Sequence, residues 1–208
     1  NPIGKSSRSN PVTYIKAYDD IRNLFSKQKL SVLRNYKSGY FSFNVDGGRC
    51  DVCKGEGVTT VEMQFMADVH LICEECNGNR FKKEILEVKF ANKNISEILD
   101  LSVYEAILFF KENNEEKLSM KLQPLLDVGL GYIKLGQSSS TLSGGEAQRI
   151  KLASFLNKGV SKEKIIFIFD EPTTGLHFHD VNKLLKSINE LIIKGHSVVC
   201  IEHNLDVI

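Results

Sequence analysis

The sequence has 208 residues, of which 42% are hydrophobic and 25% charged, a composition typical of a globular protein with a core of its own. The formal net charge is only +1, but residues 1–50 carry nine Lys or Arg against three Asp or Glu, whereas residues 51–100 carry six against ten. No apolar run of about eighteen residues and no secretory signal occur, so the sequence excludes a membrane span and we expect a cytoplasmic protein.

The basic first segment begins with turn-forming residues. Residues 1–13 hold two Asn-Pro pairs, a Gly and several Ser and Thr, which predict a loop. Apolar residues at helical spacing between Tyr14 and Leu30 predict a helix, and alternation over 40–44 predicts a strand. The positive charge suits a polyanion such as nucleic acid, although a solvated face is the commoner explanation of such a bias.

Two C-x-x-C pairs follow, Cys50 with Cys53 and Cys73 with Cys76, and nineteen residues separate them. This spacing is typical of a zinc site in which four thiolates form a closed tetrahedron. Disulfides are the alternative, but a cytosolic protein keeps its thiols reduced. Because a closed site leaves no position for a reactive water, we expect one structural zinc ion per chain. Cys200 stands alone in an apolar run and is expected in the core.

After the cysteines the pattern predicts a strand over 85–90 and helices over 94–100 and 102–111, with Ser96 and Ser102 as their caps. A further helix is predicted from residue 118.

The stretch LSGGEAQRIKLASFL then begins at Leu142. Ser143 and Glu146 have the spacing of a capping box, and the apolar stripe behind them predicts an amphipathic helix. Gly144 and Gly145 disfavour a helix start but leave backbone amides bare. Bare amides at a helix N-terminus can bind an anion closely.

The last segment predicts a strand-helix-strand unit. The bulky apolar residues of KIIFIFD, residues 164–170, predict a strand buried on both faces. A helical stripe follows over 181–192, and a second apolar strand covers 197–201. A right-handed crossover makes the two strands parallel, so the acidic residues that end the first strand and His203 after the second are expected at one edge of the sheet.

These motifs, in this order, resemble those of ABC-type ATPases: LSGGE their signature, IIFIFDE their Walker B strand, PTTGLH their D-loop, and His203 their switch histidine. The knuckles CDVCKGEG and CEECNGNR before the signature, with PTTGLH and IEHNLDVI after it, resemble more narrowly the second ATPase half of the UvrA family of ABC excinuclease proteins. The resemblance runs from PIGKSSRSNP to the last residue.

The resemblance implies roles for particular residues. The signature would bind the γ-phosphate of an ATP held mainly by another nucleotide-binding lobe, and the Walker B carboxylates would bind Mg²⁺ and activate water. The implied residues are Ser143, Gly144, Gly145 and Asp170 for ATP and Mg²⁺, Glu171 and His203 for catalysis, Cys50, Cys53, Cys73 and Cys76 for zinc, and Lys5, Arg8, Arg34 and Lys37 for DNA.

The implied fold is α/β: a partial ABC-type ATPase lobe with a parallel sheet, plus a helical signature subdomain that carries the inserted zinc module. The expected segments are a basic loop and helix (1–40), the zinc insertion (41–90), the signature subdomain (91–160) and the ATPase core (161–208). The implied activity is ATP-dependent recognition of damaged double-stranded DNA in bacterial nucleotide excision repair, by a homodimer that loads the helicase-like B subunit of the excinuclease.

No G-x-x-x-x-G-K-[ST] phosphate loop occurs in the sequence. We therefore expect a fragment of a longer protein that does not hydrolyse ATP by itself. Two alternatives stay open at this point. One is another ABC-type ATPase, from a transporter or a chromosome-structure protein. The other is a zinc-stabilised binding module like the cysteine-rich region of DnaJ-type chaperones, from which the second knuckle departs at Arg80.

Overall fold

The computed structural model describes residues 9–61, 63, 69–157 and 164–204. Within the last range, residues 178 and 179 are described by their backbone only. The chain divides into two compact units. One unit comprises Asn1–Ala17 and Leu101–Ile208, and the other is the continuous segment Tyr18–Asp100. None of the helices within these described ranges is long and apolar enough to cross a membrane.

The helices are α1 Pro11–Tyr14, α2 Tyr18–Ser26, α3 Lys29–Leu33, α4 Lys83–Leu86, α5 Ile95–Asp100, α6 Val103–Glu112, α7 Glu116–Asp127, α8 Gly144–Leu156 and α9 Phe178–Ile193. The strands are β1 Val58–Val61, β2 Val69–Ile72, β3 Ile166–Asp170 and β4 Ser197–Ile201. β1 and β2 form an antiparallel pair, whereas β3 and β4 are parallel, with Asp170 opposite Ile201.

The helix predicted between Tyr14 and Leu30 is broken, and α1 lies partly inside the predicted loop. Asn10 caps α1, because its side chain accepts a hydrogen bond of 3.0 Å from the amide of Thr13. The break follows at Lys16, whose φ of 60° lies in the left-handed region that no helix continues through.

Two predicted strands of the Tyr18–Asp100 unit are wrong. Residues 38–41 form a single 3₁₀ turn, since Phe41 and Phe43 are both buried and the Tyr18 hydroxyl donates a 2.6 Å hydrogen bond to the Phe41 carbonyl. Residues 83–86 form helix α4, because the apolar residues Ile85 and Val88 are three positions apart and both face the core. In both places apolar burial fits a turn or a helix as well as a strand.

The capping of the following helices was predicted in part. Ser102 caps α6 through a complete capping box with Glu105, as predicted. Ser96 lies inside α5, and the cap is Asn94, whose side chain accepts a 2.9 Å hydrogen bond from the amide of Glu97. The prediction of a Ser96 cap is therefore wrong, since an Asn two residues earlier competes for the same role.

The strand β3 has the predicted position but not the predicted burial. Phe167 and Phe169 are 9% and 5% exposed, whereas Ile166 and Ile168 are 69% and 70% exposed. Helix α8 covers one face, where Phe155 meets the Phe167 ring edge-on at 5.0 Å. Within the described ranges β3 pairs only with β4, and nothing covers the other face. Cys200 on β4 is likewise exposed, so its predicted place in the core is wrong.

Candidate functional sites

The four paired cysteines converge in the Tyr18–Asp100 unit. Their sulfur atoms all lie within 4.8 Å of one another, and each cysteine is at most 6% exposed. The Sγ atoms of Cys50 and Cys73 are 3.9 Å apart, and those of Cys53 and Cys76 are 3.6 Å apart. Tetrahedral zinc with bonds of about 2.3 Å to sulfur requires separations of about 3.8 Å. The donor set and its size therefore fit a tetrahedral thiolate-bound metal ion.

Tight turns behind each C-x-x-C pair shape this centre. Gly55 and Gly78, each two residues after a C-x-x-C pair, have φ of +87° and +80°, in the left-handed region that glycine adopts without strain. A Cβ atom at Gly55 would lie 2.0 Å from the carbonyl oxygen of Phe43, so that position admits no side chain. The turn also directs the amide of Gly57 at the sulfur of Cys53, at 3.3 Å.

The thiols differ in their electrostatics. Burial raises the pKa of Cys50 and raises that of Cys76 to about 12, whereas the backbone amide of Cys76 lowers the pKa of Cys73. Buried thiols of raised pKa stay neutral unless a cation is present. A bound divalent metal would supply that cation, and four ligands would leave it no open position for substrate.

The second candidate site is in the other unit and begins at the N-terminus of α8. Ser143 is exposed, and its hydroxyl oxygen accepts a 3.2 Å hydrogen bond from the amide of Glu146, while its own amide donates to the Glu146 carboxylate at 2.7 Å. The predicted capping box is thus present. A Cβ atom at Gly144 would meet no atom within 4 Å, so the backbone there is open to an approaching anion.

The carboxyl ends of β3 and β4 carry the predicted acidic and imidazole groups. The amide of Glu171 donates to the carbonyl of Ile201 at 2.9 Å, which extends the parallel ladder by one residue. The Nε2 atom of His203 lies 3.6 Å from the Glu171 carboxylate, and both side chains are exposed. Glu171 has a φ of 46°, a strained conformation for a residue with a side chain. Asp170, Glu171 and His203 therefore share one edge of the sheet.

Two side chains of α8 form hydrogen bonds with the backbone at this edge, and the sequence analysis did not single them out. Gln148 forms a paired hydrogen bond with the backbone of Asp170, donating to its carbonyl at 2.9 Å and accepting from its amide at 3.1 Å. Arg149 is 1% exposed and donates to the carbonyl of Pro172 at 2.8 Å. Burial lowers the pKa of Arg149. The only sequence signal was a polar pair, Gln-Arg, between apolar positions of the helix.

Glu202 is a third residue that the sequence did not indicate. Its carboxylate accepts hydrogen bonds from the amide and the hydroxyl of Thr173, at 2.8 and 2.7 Å. Partial burial alone would raise the pKa of Glu202, but these hydrogen bonds outweigh it and lower the pKa. The ionised carboxylate of Glu202 thus hydrogen-bonds Thr173, in the segment after β3, to the end of β4.

The four candidate DNA-binding residues are not brought together by the described structure. Lys5 and Arg8 lie outside the described residues. Arg34 lies 2.6 Å from the Glu87 carboxylate, and the hydrogen bond between them raises the pKa of Arg34. Lys37 is exposed at the start of the 3₁₀ turn.

Comparison with known proteins gives relatives along the whole chain. UvrABC system protein A of Clostridium tetani is 57% identical over 208 residues, and the proteins of that name from Clostridium perfringens and Staphylococcus aureus are 54% identical. Each alignment covers 100% of this chain and 22% of the relative, so the chain spans about a fifth of the relatives' length.

A solved structure agrees with these sequences, and no known family profile matches. The crystal structure of UvrA2 from Deinococcus radiodurans superposes with a TM-score of 0.88 at 44% identity, over 100% of this chain and 25% of that one.

Proposed function

We infer that this chain belongs to the family of UvrABC system protein A, to which it is related over its whole length. We propose that, as a segment of a longer protein, it takes part in ATP-dependent recognition of DNA damage in nucleotide excision repair. The observation that carries the proposal is the edge of β3 and β4, where Asp170, Glu171 and His203 lie together at the carboxyl ends of two parallel strands. Neither the DnaJ-type module nor a transporter accounts for both this edge and the four-cysteine centre.

We propose that the edge and the α8 N-terminus act on ATP from two sides. Ser143 and the amides of Gly144 and Gly145 would bind the γ-phosphate of an ATP held mainly by another nucleotide-binding lobe. Asp170 would bind Mg²⁺, and Glu171 would orient the attacking water and accept its proton. His203, beside Glu171, would contact the γ-phosphate. ATP hydrolysis would belong to the complete protein rather than to this segment.

The four-cysteine centre is proposed to hold one structural Zn²⁺ ion. Cys50, Cys53, Cys73 and Cys76 would bind it as thiolates, and four sulfur donors favour zinc over harder cations, which prefer oxygen ligands. When bound, the ion supplies a cross-link for a small unit and no catalysis.

The proposed partners are damaged double-stranded DNA, the helicase-like B subunit of the excinuclease and a second copy of the protein, in the cytoplasm. Lys37, exposed in a basic part of the chain, is the described residue we propose to contact a phosphate. We expect Lys37→Ala to weaken duplex binding and to flatten its dependence on log salt by about one unit. Lys186→Ala, an exposed lysine of the other unit, is the control, and an unchanged slope for Lys37→Ala would remove it from the contact surface.

The decisive test of ATP chemistry is Glu171→Gln in the complete protein. The amide keeps the shape of the side chain but cannot take a proton, so we expect ATP to bind and to be retained while hydrolysis is nearly abolished. Glu190→Gln, an exposed carboxylate on α9 of the same unit, should turn over ATP normally. Steady-state hydrolysis and retention of labelled nucleotide are measured together. Normal turnover by Glu171→Gln would reject its role.

A further inference from the structure

The two knuckles of the four-cysteine centre end in different residues at the equivalent position. Gly57 lies four residues after Cys53, and Arg80 lies four residues after Cys76. Both residues have the left-handed backbone conformation, with φ of +79° and +70°. Glycine adopts this conformation without strain, whereas an arginine does not. The first knuckle forms this turn with a glycine, so the turn itself does not require the side chain of Arg80.

The backbone groups of Arg80 and Gly57 lie at equivalent places near a cysteine sulfur of their knuckles. The amide of Gly57 donates to the sulfur of Cys53 at 3.3 Å, and the backbone of Arg80 favours the thiolate form of Cys76, although burial outweighs it and raises the pKa of Cys76. Because a glycine would provide this amide equally well, the backbone gives no reason for an arginine. The reason must be in the side chain.

The side chain of Arg80 is partly buried and lies against both knuckles. A Cβ atom at Gly57 would lie 3.1 Å from its Cγ, and its guanidinium stands 5.5 Å over the ring of Phe43. The Nη1 atom is buried and has no hydrogen-bond partner within the described part of the chain. Tyr18 and Asp100 interact most strongly with this guanidinium, and Cys53 and Cys76 of the two knuckles follow them.

A partly buried positive charge without a full set of hydrogen bonds is stabilised by the negative groups around it. Four thiolates around a divalent ion carry a net charge of −2, which is unfavourable to bury by itself. We propose that Arg80 is the positive charge that stabilises the metal-bound four-cysteine centre, a positioning residue that does not ligate the ion. This inference rests on the proposed zinc site and extends it to the groups around the ligands.

The test measures metal retention in the protein bearing Arg80→Met, Arg80→Gly or Arg80→Lys. Arg80→Met removes the charge and keeps much of the stem, Arg80→Gly copies the first knuckle and relieves the backbone, and Arg80→Lys keeps a charge. Arg22→Met is the matched control, because its guanidinium also lies over an aromatic ring of this unit, 5.6 Å from the centre of Tyr18. Cys50→Ser identifies the zinc that belongs to this centre.

We expect zinc transfer to a chromogenic chelator to be about tenfold faster for Arg80→Met and Arg80→Gly, since groups around metal ligands commonly contribute this much. Arg80→Lys should lie between them and the wild type, and Arg22→Met should match the wild type. Wild-type rates for both Arg80→Met and Arg80→Gly would overturn the inference, as would an Arg80→Lys rate equal to that of Arg80→Met. Wild-type protein without zinc at this centre in elemental analysis would instead reject the metal assignment itself.

Discussion

At the scale of single residues, the end of β3 is fixed by side chains that contact only its backbone. Gln148 pairs with both the amide and the carbonyl of Asp170, as a neighbouring strand would. Arg149 donates to the carbonyls of Pro172 and Thr174, at 2.8 and 3.3 Å. The carboxylate proposed to bind Mg²⁺ and the turn after it are therefore positioned by the helix that carries the proposed γ-phosphate contact.

We predict that Gln148→Leu lowers ATP turnover by the complete protein more than it lowers nucleotide binding. The substitution roughly keeps the volume but removes both hydrogen bonds to the exposed backbone of Asp170, which should lower the free energy of unfolding by about 1 kcal/mol and misplace the carboxylate. ATP hydrolysis is followed against substrate concentration, with thermal unfolding in parallel. Gln123→Leu, which removes the exposed 2.8 Å hydrogen bond to Asp127, is the control. Wild-type turnover by Gln148→Leu would show that the pairing has no part in catalysis.

At the scale of elements, two helices of one unit start with the same capping box but differ in their first turns. Ser102 and Glu105 begin α6, and Ser143 and Glu146 begin α8. Only α8 has two glycines in its first turn, each of which disfavours a helix by up to about 1 kcal/mol relative to alanine. The capping box offsets part of that loss. Comparing α6 with α8 therefore distinguishes the contribution of an N-cap to stability from the proposed contact of α8 with ATP.

We predict that Ser102→Ala and Ser143→Ala each lower the free energy of unfolding by about 1 kcal/mol, the usual effect of losing an N-cap side chain. Only Ser143→Ala should reduce ATP turnover, because only Ser143 is proposed to reach the γ-phosphate. Urea unfolding and steady-state hydrolysis are measured on both variants. If the two lose turnover equally, the effect is one of stability and the contact with ATP is wrong.

The elements that sequence reasoning placed correctly are those with local signals. The helix α9 has the predicted apolar stripe and ends before Gly195, whose φ is +87°. The parallel pairing of β3 and β4 follows from the length of the crossover between them. The two wrongly predicted strands, at 40–44 and 85–90, are short apolar runs of five or six residues. In such runs tertiary burial decides between strand, turn and helix.

At the scale of the whole molecule, the chain is not divided as a series of consecutive pieces. One compact unit is the continuous segment Tyr18–Asp100, and the other combines Asn1–Ala17 with Leu101–Ile208. The four functional segments proposed from the sequence concern roles along the chain and stay a prediction. The continuous unit contains every ligand of the candidate metal centre, so a metal ion bound there would cross-link that unit alone.

The sequence by itself determined the cysteine centre, the capping box of α8, the Ser102 cap of α6 and the parallel strand-helix-strand unit. Each depends on spacings of a few residues or on one short crossover, which the order of side chains specifies directly. Only the tertiary structure decided which face of β3 is buried, which backbone groups Gln148 and Arg149 hold, and that Arg80 lies against both knuckles. These contacts join residues that are distant in the chain, and their free energy depends on what packs against them, which no local pattern encodes.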